Sequence, residues 1–571
     1  MARVIVFDER DAIGDLLVSR LMESRSVESC QRSPQLEDGF GGELSGGCAG
    51  FLKDNAVDTI VYSPALGGPR QMAPDLAEAE SLLRQWANPA IKRVVVLSSA
   101  AIYGASPHNP GLIPESRPLN HNGKSSIASQ WADLEAMASI YLGGHRATSL
   151  TILRTAPTPA PGEEDYFSRL LTGRVAITLP GHDPSIQLLS PEDLARAVRS
   201  AVESGVSGIF NVAPSGVIPL RAALRLAGVA RVPLARWAQR VGRAALAPLG
   251  LARPLDQLEY VRYSWTISDK KVREELGFIP EKSSADTVIE ISSRGRGPER
   301  ETDARAAAEF DDFGMDKDYI AAYGRTLFTF LHRYYWRVEV NGLERVPREG
   351  RAVLVGVHRG LMPWDGVMAL HLLAQRTGRY PRFLIHPTLI KFPFLFNFMT
   401  KLGGIVACQE NADYVLERDG MLGIFPEGIN GAFMLYRDAY RLGKFGRDEF
   451  VKMALRNRAP IVPFITIGSA EIFPILKKLN WRWWRRYTEW PCFPVTPTFP
   501  LLPIPLPSKW HTQFLAPIHV EERHPPEAAD DPVIVRVISN EVRSKMENAI
   551  ERILKLRKSI FYGSVFGQEA S

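Results

Sequence analysis

The chain is poor in the features that mark secreted, membrane-spanning and nucleic-acid-binding proteins. It has four cysteines in 571 residues, Cys30, Cys48, Cys408 and Cys492, far apart and without a C-x-x-C pair. That argues against a disulfide framework and against a cysteine-built zinc site. No run of about 18 uncharged apolar residues occurs, so no transmembrane helix is expected. The opening Met-Ala-Arg-Val-Ile-Val-Phe-Asp runs straight into a strand-like stretch and lacks the apolar core of a signal peptide. No internal repeat is present. An excess of one charge is also missing: 69 Lys+Arg against 63 Asp+Glu leave a net +6, too weak and too evenly spread for nucleic acid. What the chain does have is length and 45% hydrophobic residues, which exclude a disordered or fibrous protein and imply several domains or two large ones. The expected setting is the cytoplasm, with peripheral attachment to a membrane.

The pattern divides the chain into residues 1–291, a linker over 292–315 and a second domain over 316–571. In the first part, short β-branched runs (Val4–Phe7, Thr59–Tyr62, Val94–Ser98, Leu150–Leu153, Ile209–Val212) alternate with helical stretches such as Asp75–Trp86 and Ser129–Ile140. Such alternation predicts an α/β fold, a doubly wound parallel sheet with both faces covered. Ser293–Arg305 is charged, without apolar periodicity, and reads as solvated linker. The second part opens with an aromatic helical stretch, Tyr319–Trp336. Strands at Ala352–Val357, Gly423–Phe425 and Ile461–Ile467 follow. It closes with a helix whose stripe is Ile538, Val542, Met546, Ala549 and Ile553.

The first part resembles NAD-dependent epimerases/dehydratases of the extended short-chain dehydrogenase/reductase type. The carrying residues are Leu97-Ser98-Ser99-Ala100-Ala101-Ile102-Tyr103-Gly104, Ile152-Leu153-Arg154-Thr155, Ser190-Pro191-Glu192-Asp193-Leu194-Ala195 and Phe210-Asn211-Val212. The resemblance implies a Rossmann-like fold, but the chemistry does not follow with it. A dinucleotide needs glycines at the first strand–helix turn, where the backbone approaches the pyrophosphate. The family's first two glycines fall on Asp8 and Asp11, and only Gly14 remains. Its Tyr-x-x-x-Lys pair falls on Ile127 and Trp131, with Glu135 as the anchor of that alignment, and Ser99 matches its catalytic serine. Gly14 and Ser99 are thus vestiges of a cofactor site, and the residues argue against NAD(P). The glycine cluster Gly39–Gly50 lies outside any strand-to-helix turn and reads as a loop.

The second part carries the chemistry. Strand-like Ala352-Val353-Leu354-Val355 leads into Val357-His358-Arg359-Gly360-Leu361-Met362-Pro363-Trp364-Asp365-Gly366. Imidazole can take a proton from an alcohol near neutral pH, and a carboxylate can fix its tautomer. On a regular helix, residues seven apart are separated by about 10 Å of rise, too far for a hydrogen bond. Gly360 and Pro363 instead predict a loop that folds Asp365 back on His358.

Two further blocks follow in order: Leu422-Gly423-Ile424-Phe425-Pro426-Glu427-Gly428, and Arg458-Ala459-Pro460-Ile461-Val462-Pro463. With the His…Asp segment they resemble the glycerophosphate/lysophospholipid acyltransferase family over about 330–560. The resemblance implies transfer of a fatty acyl group from a thioester, acyl-CoA or acyl carrier protein, to a hydroxyl of a glycerolipid or lysophospholipid. It requires no cofactor and no metal. It makes His358 the general base and Asp365 its partner, has Glu427 with Pro426 and Gly428 position the acceptor, and has Pro460 with Val462 shape the pocket. Six residues separate His358 from Asp365 where the family commonly has four, and this longer form is similar to the diacylglycerol-acyltransferase-related branch. Where glycerol-3-phosphate enzymes carry a phosphate-binding arginine, this chain has Gln409, which disfavours that acceptor. Arg359, Lys391 and Lys444 could supply substrate-binding charge instead.

Membrane contact is expected from Ser469–Trp490, where Lys477, Lys478, Arg482, Arg485 and Arg486 interleave with Trp481, Trp483, Trp484 and Tyr487. Phe383–Phe398 reads as interfacial or tunnel-lining. Pro491–Pro507, with seven prolines, reads as extended surface chain. The partners expected are a thioester donor, a lipid acceptor and a membrane surface. Two other readings stay open: NAD(P)-dependent epimerase activity in the first part, and a non-catalytic lipid- or partner-binding protein.

Overall fold

The fold is that of a computed structural model, which describes residues 1–8, 11–33, 52, 55–64, 66, 72–119, 126–143, 148–160, 162–163, 165–234, 257–293, 311–446, 448–498 and 504–567. The glycine cluster Gly39–Gly50 and most of the expected linker lie outside these residues. The chain divides into two units, Met1–Gly314 and Met315–Ser571.

The first unit holds a six-stranded parallel sheet of β1 (Ala2–Phe7), β2 (Val27–Arg32), β3 (Thr59–Tyr62), β4 (Arg93–Ser99), β5 (Ser149–Thr155) and β6 (Gly208–Val212), in the order β2-β1-β3-β4-β5-β6. The winding reverses at β1/β3, as in doubly wound α/β folds. Helices α1 (Asp11–Met22), α2 (Leu76–Trp86), α3 (Ile127–Gly143) and α4 (Pro191–Ser204) connect the strands. Every residue of β3 is buried, which explains its unbroken apolar run. By contrast, β2 (VESCQR) is a half-exposed edge strand whose polar residues hid it from the periodicity reading.

The second unit holds a seven-stranded sheet of β7 (Glu339–Asn341), β8 (Ala352–Val355), β9 (Arg382–Ile385), β10 (Ile405–Val406), β11 (Met421–Ile424), β12 (Ile461–Ile467) and β13 (His511–Phe514). Its order is β7-β13-β12-β8-β11-β9-β10, and the β12/β13 pairing is antiparallel. Helices α5 (Lys317–Tyr323), α6 (Trp364–Thr377), α7 (Pro393–Lys401), α8 (Gln409–Glu417), α9 (Arg482–Thr488) and α10 (Pro532–Leu556) complete the part of the unit that matters here. The helix expected over 319–336 starts as α5 and continues as two π-helical turns, Gly324–Phe328 and Leu331–Tyr335. Trp336 then stacks on Trp510 at 4.3 Å and meets Trp364 at 5.6 Å. The stripe of α10 is wholly inside, with Ile538, Val542, Met546, Ala549 and Ile553 all buried.

Two expectations need correction. Phe383–Phe398, expected as one interfacial or tunnel-lining segment, is divided between elements: Phe383, Leu384 and Ile385 belong to β9, where Phe383 packs in the core against Phe425, and Pro393–Phe398 belong to α7. Part of the Pro491–Pro507 run is strand rather than open extended chain, since Phe493–Val495 pairs with Lys477–Leu479. Residues 499–503 of that run lie outside the described set.

Candidate active site

The site is built where β8 stops. Gly356 follows the strand, and a Cβ there would lie 2.3 Å from the Phe464 ring and 2.7 Å from that of Phe425, so only glycine lets these rings close in. The chain then leaves the sheet through Gly360, at φ 77°, and Leu361, at φ 63°. Met362 donates its N–H to the Gly360 carbonyl at 2.6 Å, closing a γ-turn around Leu361. Pro363 precedes α6, whose first turn carries Asp365. The tight turn folds the carboxylate back on the imidazole, with both Asp365 oxygens 2.9 Å from His358 Nδ1.

Asp365 is buried and pinned. It also accepts the backbone N–H groups of Arg359 and Gly366, each at 2.9 Å, and the helix N-terminus favours its negative charge. A carboxylate only accepts, so Nδ1 carries the hydrogen and Nε2 keeps its lone pair. The His358 side chain is 12% exposed. Its ring lies 5.3 Å from Phe425, which stacks on Phe383 at 5.6 Å and meets Phe464 edge-on at 6.0 Å. Phe425 gives the base an apolar neighbour, backed by the core rings of Phe383 and Phe464.

The other expected site residues are placed differently. Arg359 is 2% exposed, and all five of its guanidinium N–H groups are engaged. Nε donates to the Ala439 carbonyl at 2.6 Å, Nη1 to the His358 carbonyl at 2.8 Å and Glu427 Oε2 at 2.5 Å, and Nη2 to Glu427 Oε1 at 3.0 Å and the Arg441 carbonyl at 3.1 Å. No donor remains for a substrate phosphate, so Arg359 is a positioning residue and not a substrate ligand. Glu427 is engaged likewise, taking the Gly443 N–H at 2.5 Å as well as both arms of Arg359. Its carboxylate joins the His358 loop to segment 436–446 rather than facing open space. Pro426 accepts the Gly446 N–H at 3.0 Å, and Gly428 sits at φ 56° with nothing within 4 Å of a would-be Cβ.

Pro460 does not belong to the site. Its carbonyl accepts the Val353 N–H at 2.9 Å, at the start of β8, whereas His358 follows the end of that strand. Val462 is a fully buried core residue. Pro460 therefore lies at the opposite end of the sheet from His358, whereas Val462 pairs with Leu354, next to the last residue of β8. The residues that reach the site come later, as Phe464 on β12 and as Ser469 in the turn after it, whose carbonyl would lie 2.2 Å from a Cβ on Gly360. Because catalytic groups gather at the carboxyl ends of parallel strands, counting along β12 from Pro460 points to these residues.

Gln409, at the start of α8, donates to Asp413 at 2.8 Å. Lys391 pairs with Glu489 at 2.8 Å, and Lys444 is exposed.

In the first unit the cofactor corner is closed by the protein's own groups. Arg32, at the end of β2, donates Nε and Nη2 to the Asp8 carbonyl at 3.1 and 2.8 Å. A Cβ on Gly14 would lie 2.8 Å from Arg32 Nε, so the guanidinium lies over the first turn of α1. Trp131 is buried and donates to the Met72 carbonyl at 2.7 Å, with Ile127 at the start of the same helix. Ser99 caps the turn that follows β4 by accepting the Ala101 N–H. The sheet end is plugged by Arg154, which pairs with Glu135 at 2.7 Å and donates to the Tyr103 hydroxyl at 2.8 Å. Burial opposes the Arg154 charge, yet the bonds to Glu135 hold its pKa above the usual arginine range. These residues do not fit a dinucleotide.

Comparison with known proteins gives four findings. An acyltransferase family model matches residues 337–467. An uncharacterized protein of Mycobacterium tuberculosis is 37% identical over 260 residues, 44% of this chain and 72% of its own. A Bos taurus protein, the DGAT1/2-independent enzyme synthesizing storage lipids, is 26% identical over 172 residues, 30% of this chain and 51% of its own. Among solved structures, UDP-glucose 4-epimerase of Thermotoga maritima aligns over 52% of this chain and 98% of its own, with 14% identity and a TM-score of 0.40. At that score the likeness carries no weight, and the fold of the first unit rests on its strand order.

Proposed function

The second unit carries an acyltransferase-family domain, and from that premise we propose that the chain moves a fatty acyl group from a thioester to a hydroxyl of a glycerolipid or lysophospholipid. The observation that carries this reading is the His358–Asp365 pair, with Nδ1 held at 2.9 Å, which leaves Nε2 to serve as the base. The acceptor O–H gives its proton to Nε2 as its oxygen attacks the thioester carbonyl carbon. The C–S bond then breaks, and the thiolate takes the proton back from the imidazolium. The acyl chain lies against Phe425, the ring beside His358, near the reacting carbon.

The test is release of free thiol from acyl-CoA by the full chain with lipid vesicles, offering lysophosphatidate, other lysophospholipids and diacylglycerol one at a time. Release that depends on one acceptor class supports the reading and names the substrate. No release with any acceptor, from acyl-CoA or from acyl carrier protein, overturns it.

The reading also places the second unit at a membrane surface. Trp483 is 61% exposed, Tyr487 73% and Phe394 69%. On α9, Trp483 and Tyr487 alternate with exposed Arg482, Arg485 and Arg486, and Trp481 stacks on Trp483 at 5.7 Å. Lys391, two residues before α7, ties to Glu489 and to the Tyr487 carbonyl, which brings Phe394 near the same face. Aromatic rings at headgroup depth with basic residues between them suit anionic lipid. Replacing Trp481 and Trp483 together by alanine is expected to weaken sedimentation with anionic vesicles at least tenfold, since each buried aromatic contributes roughly 1.5–3 kcal/mol. Unchanged sedimentation would remove α9 from the contact.

For the first unit we propose a fold kept without nucleotide chemistry. Adding NAD at millimolar concentration is then expected to leave its melting midpoint where it was. A ligand at 100 times its Kd would add about 2.7 kcal/mol and raise the midpoint by several degrees, a result that would restore the oxidoreductase reading.

A further inference from the structure

Away from the dyad, the second unit has a cleft of about 1260 Å³ between the π-helical turn ending at Tyr335, the edge strand β7 and the C-terminal half of α6. Its floor includes Val338, Leu343, Val346 and Leu372, and its walls carry Arg333, Arg337, Arg348, Arg376 and Lys509. The carboxylates in the lining are Glu339 and Glu344, and both have partners. Glu339 accepts from His511 Nδ1 at 2.8 Å and from the Val565 N–H at 3.1 Å, and Glu344 lies 3.6 Å from Arg345. Arg333, Arg348 and Arg376 make no ion pair or side-chain hydrogen bond among the described residues.

These three arginines are exposed, and two neighbouring histidines register the charge of Arg333. Burial, reinforced by Arg333 and Arg376, lowers the pKa of His332, and burial with His332 and Arg333 brings His371 down to about 4. Arg337 has a left-handed backbone (φ 47°), and its Nη2 is bonded to the Phe561 carbonyl at 2.8 Å. Backbone strain of this kind gathers at binding sites.

We propose that this cleft binds a phosphate-bearing ligand with an apolar portion. Planar guanidinium forks match phosphate oxygens two at a time, which favours a phosphate over a single carboxylate. The apolar floor and the volume call for more than inorganic phosphate. The site is separate from the dyad, because Arg376 lies eleven residues along α6 from Asp365, about 16 Å of helix rise. Trp336, the neighbour of Arg337, packs against Trp364, the neighbour of Asp365, so rigid aromatic contacts join the two places. Two sources offer this chemistry, the headgroup of a phospholipid and the phosphates of a nucleotide thioester. The proposal does not depend on the acyl-transfer reading, because its readout is binding.

The test is calorimetric titration of the full chain, at low salt, with three probes in separate arms: dioctanoyl phosphatidate, coenzyme A and inorganic phosphate. One organic arm is expected to bind saturably and more tightly than inorganic phosphate, and that arm names the source. Arg333→Glu with Arg376→Glu is expected to weaken this binding at least tenfold, and Arg348→Glu, from another element, to act in the same direction. Each variant is read only where its melting midpoint matches wild type, which exposed positions allow. His358→Ala is expected to bind as wild type does. Binding in neither organic arm, or binding that the charge reversals leave unchanged, overturns the proposal.

Discussion

Replacing His358 by alanine will lower acceptor-dependent thioester cleavage by about 10²–10⁴-fold, the span a positioned general base contributes. The fold should stay intact, because the described ring contact of His358 is with Phe425 at the edge of the site. Asp365→Asn separates the partner's role from the base's. Each carboxylate oxygen takes one backbone N–H, of Arg359 or of Gly366, so the asparagine oxygen keeps only one of them, and its amide nitrogen donates to Nδ1. The imidazole hydrogen moves to Nε2, the position that must accept the proton. A loss of about 10²-fold or more with unchanged substrate KM is the expected result. Full activity in His358→Ala would remove the dyad from the mechanism.

Glu427→Gln will cost about as much as any single change in the second unit, on the order of 3–5 kcal/mol, because it leaves the buried Arg359 guanidinium without its counter-charge. Against a total stability of roughly 5–15 kcal/mol, that is a large fraction. The pair is almost fully enclosed, with side-chain exposures of 2% and 3%. Its loss also reaches the dyad: Arg359 donates its backbone N–H to Asp365 and its guanidinium to the His358 carbonyl. The urea midpoint of the second unit and kcat should therefore fall together. Had Glu427 bound the acceptor directly, KM would rise and the midpoint would hold, so the two roles give opposite patterns. Arg359→Lys is expected to behave like Glu427→Gln. An ammonium concentrates its donors at one point and cannot span Glu427, Ala439 and Arg441 at once.

What the sequence made legible follows from what each residue type must do. Continuous apolar runs disclosed β3 and β12 because strands buried on both faces have no other pattern. Gly360 and Pro363 disclosed the loop between His358 and Asp365 because neither fits a helix interior. The polar edge strand β2 stayed hidden, since one exposed face and one exposed edge leave little apolar signal. Motif order showed that Pro460 accompanies the dyad but not at which end of β12 it lies. The Arg359–Glu427 pair was visible as two functional residue types, yet charge alone does not say whether a group faces a substrate or another side chain. Segment 436–446 and the Gly443 N–H carried no local signature, because their part in the site is a backbone contact made across 16 positions of chain.

Leu361 has a consequence for how the enzyme fails when heated. A leucine in the left-handed region costs roughly 1–2 kcal/mol, and glycine would remove that cost. But the Leu361 side chain is 7% exposed and belongs to the core of the second unit, and burying a leucine contributes about 1.5–3 kcal/mol. Burial outweighs the backbone cost, so the turn that brings Asp365 to His358 is held from beneath by a core side chain and not by a permissive backbone. Loosening that turn means pulling Leu361 out of the core. Loss of activity with temperature and loss of the second unit's fold then become one event rather than two.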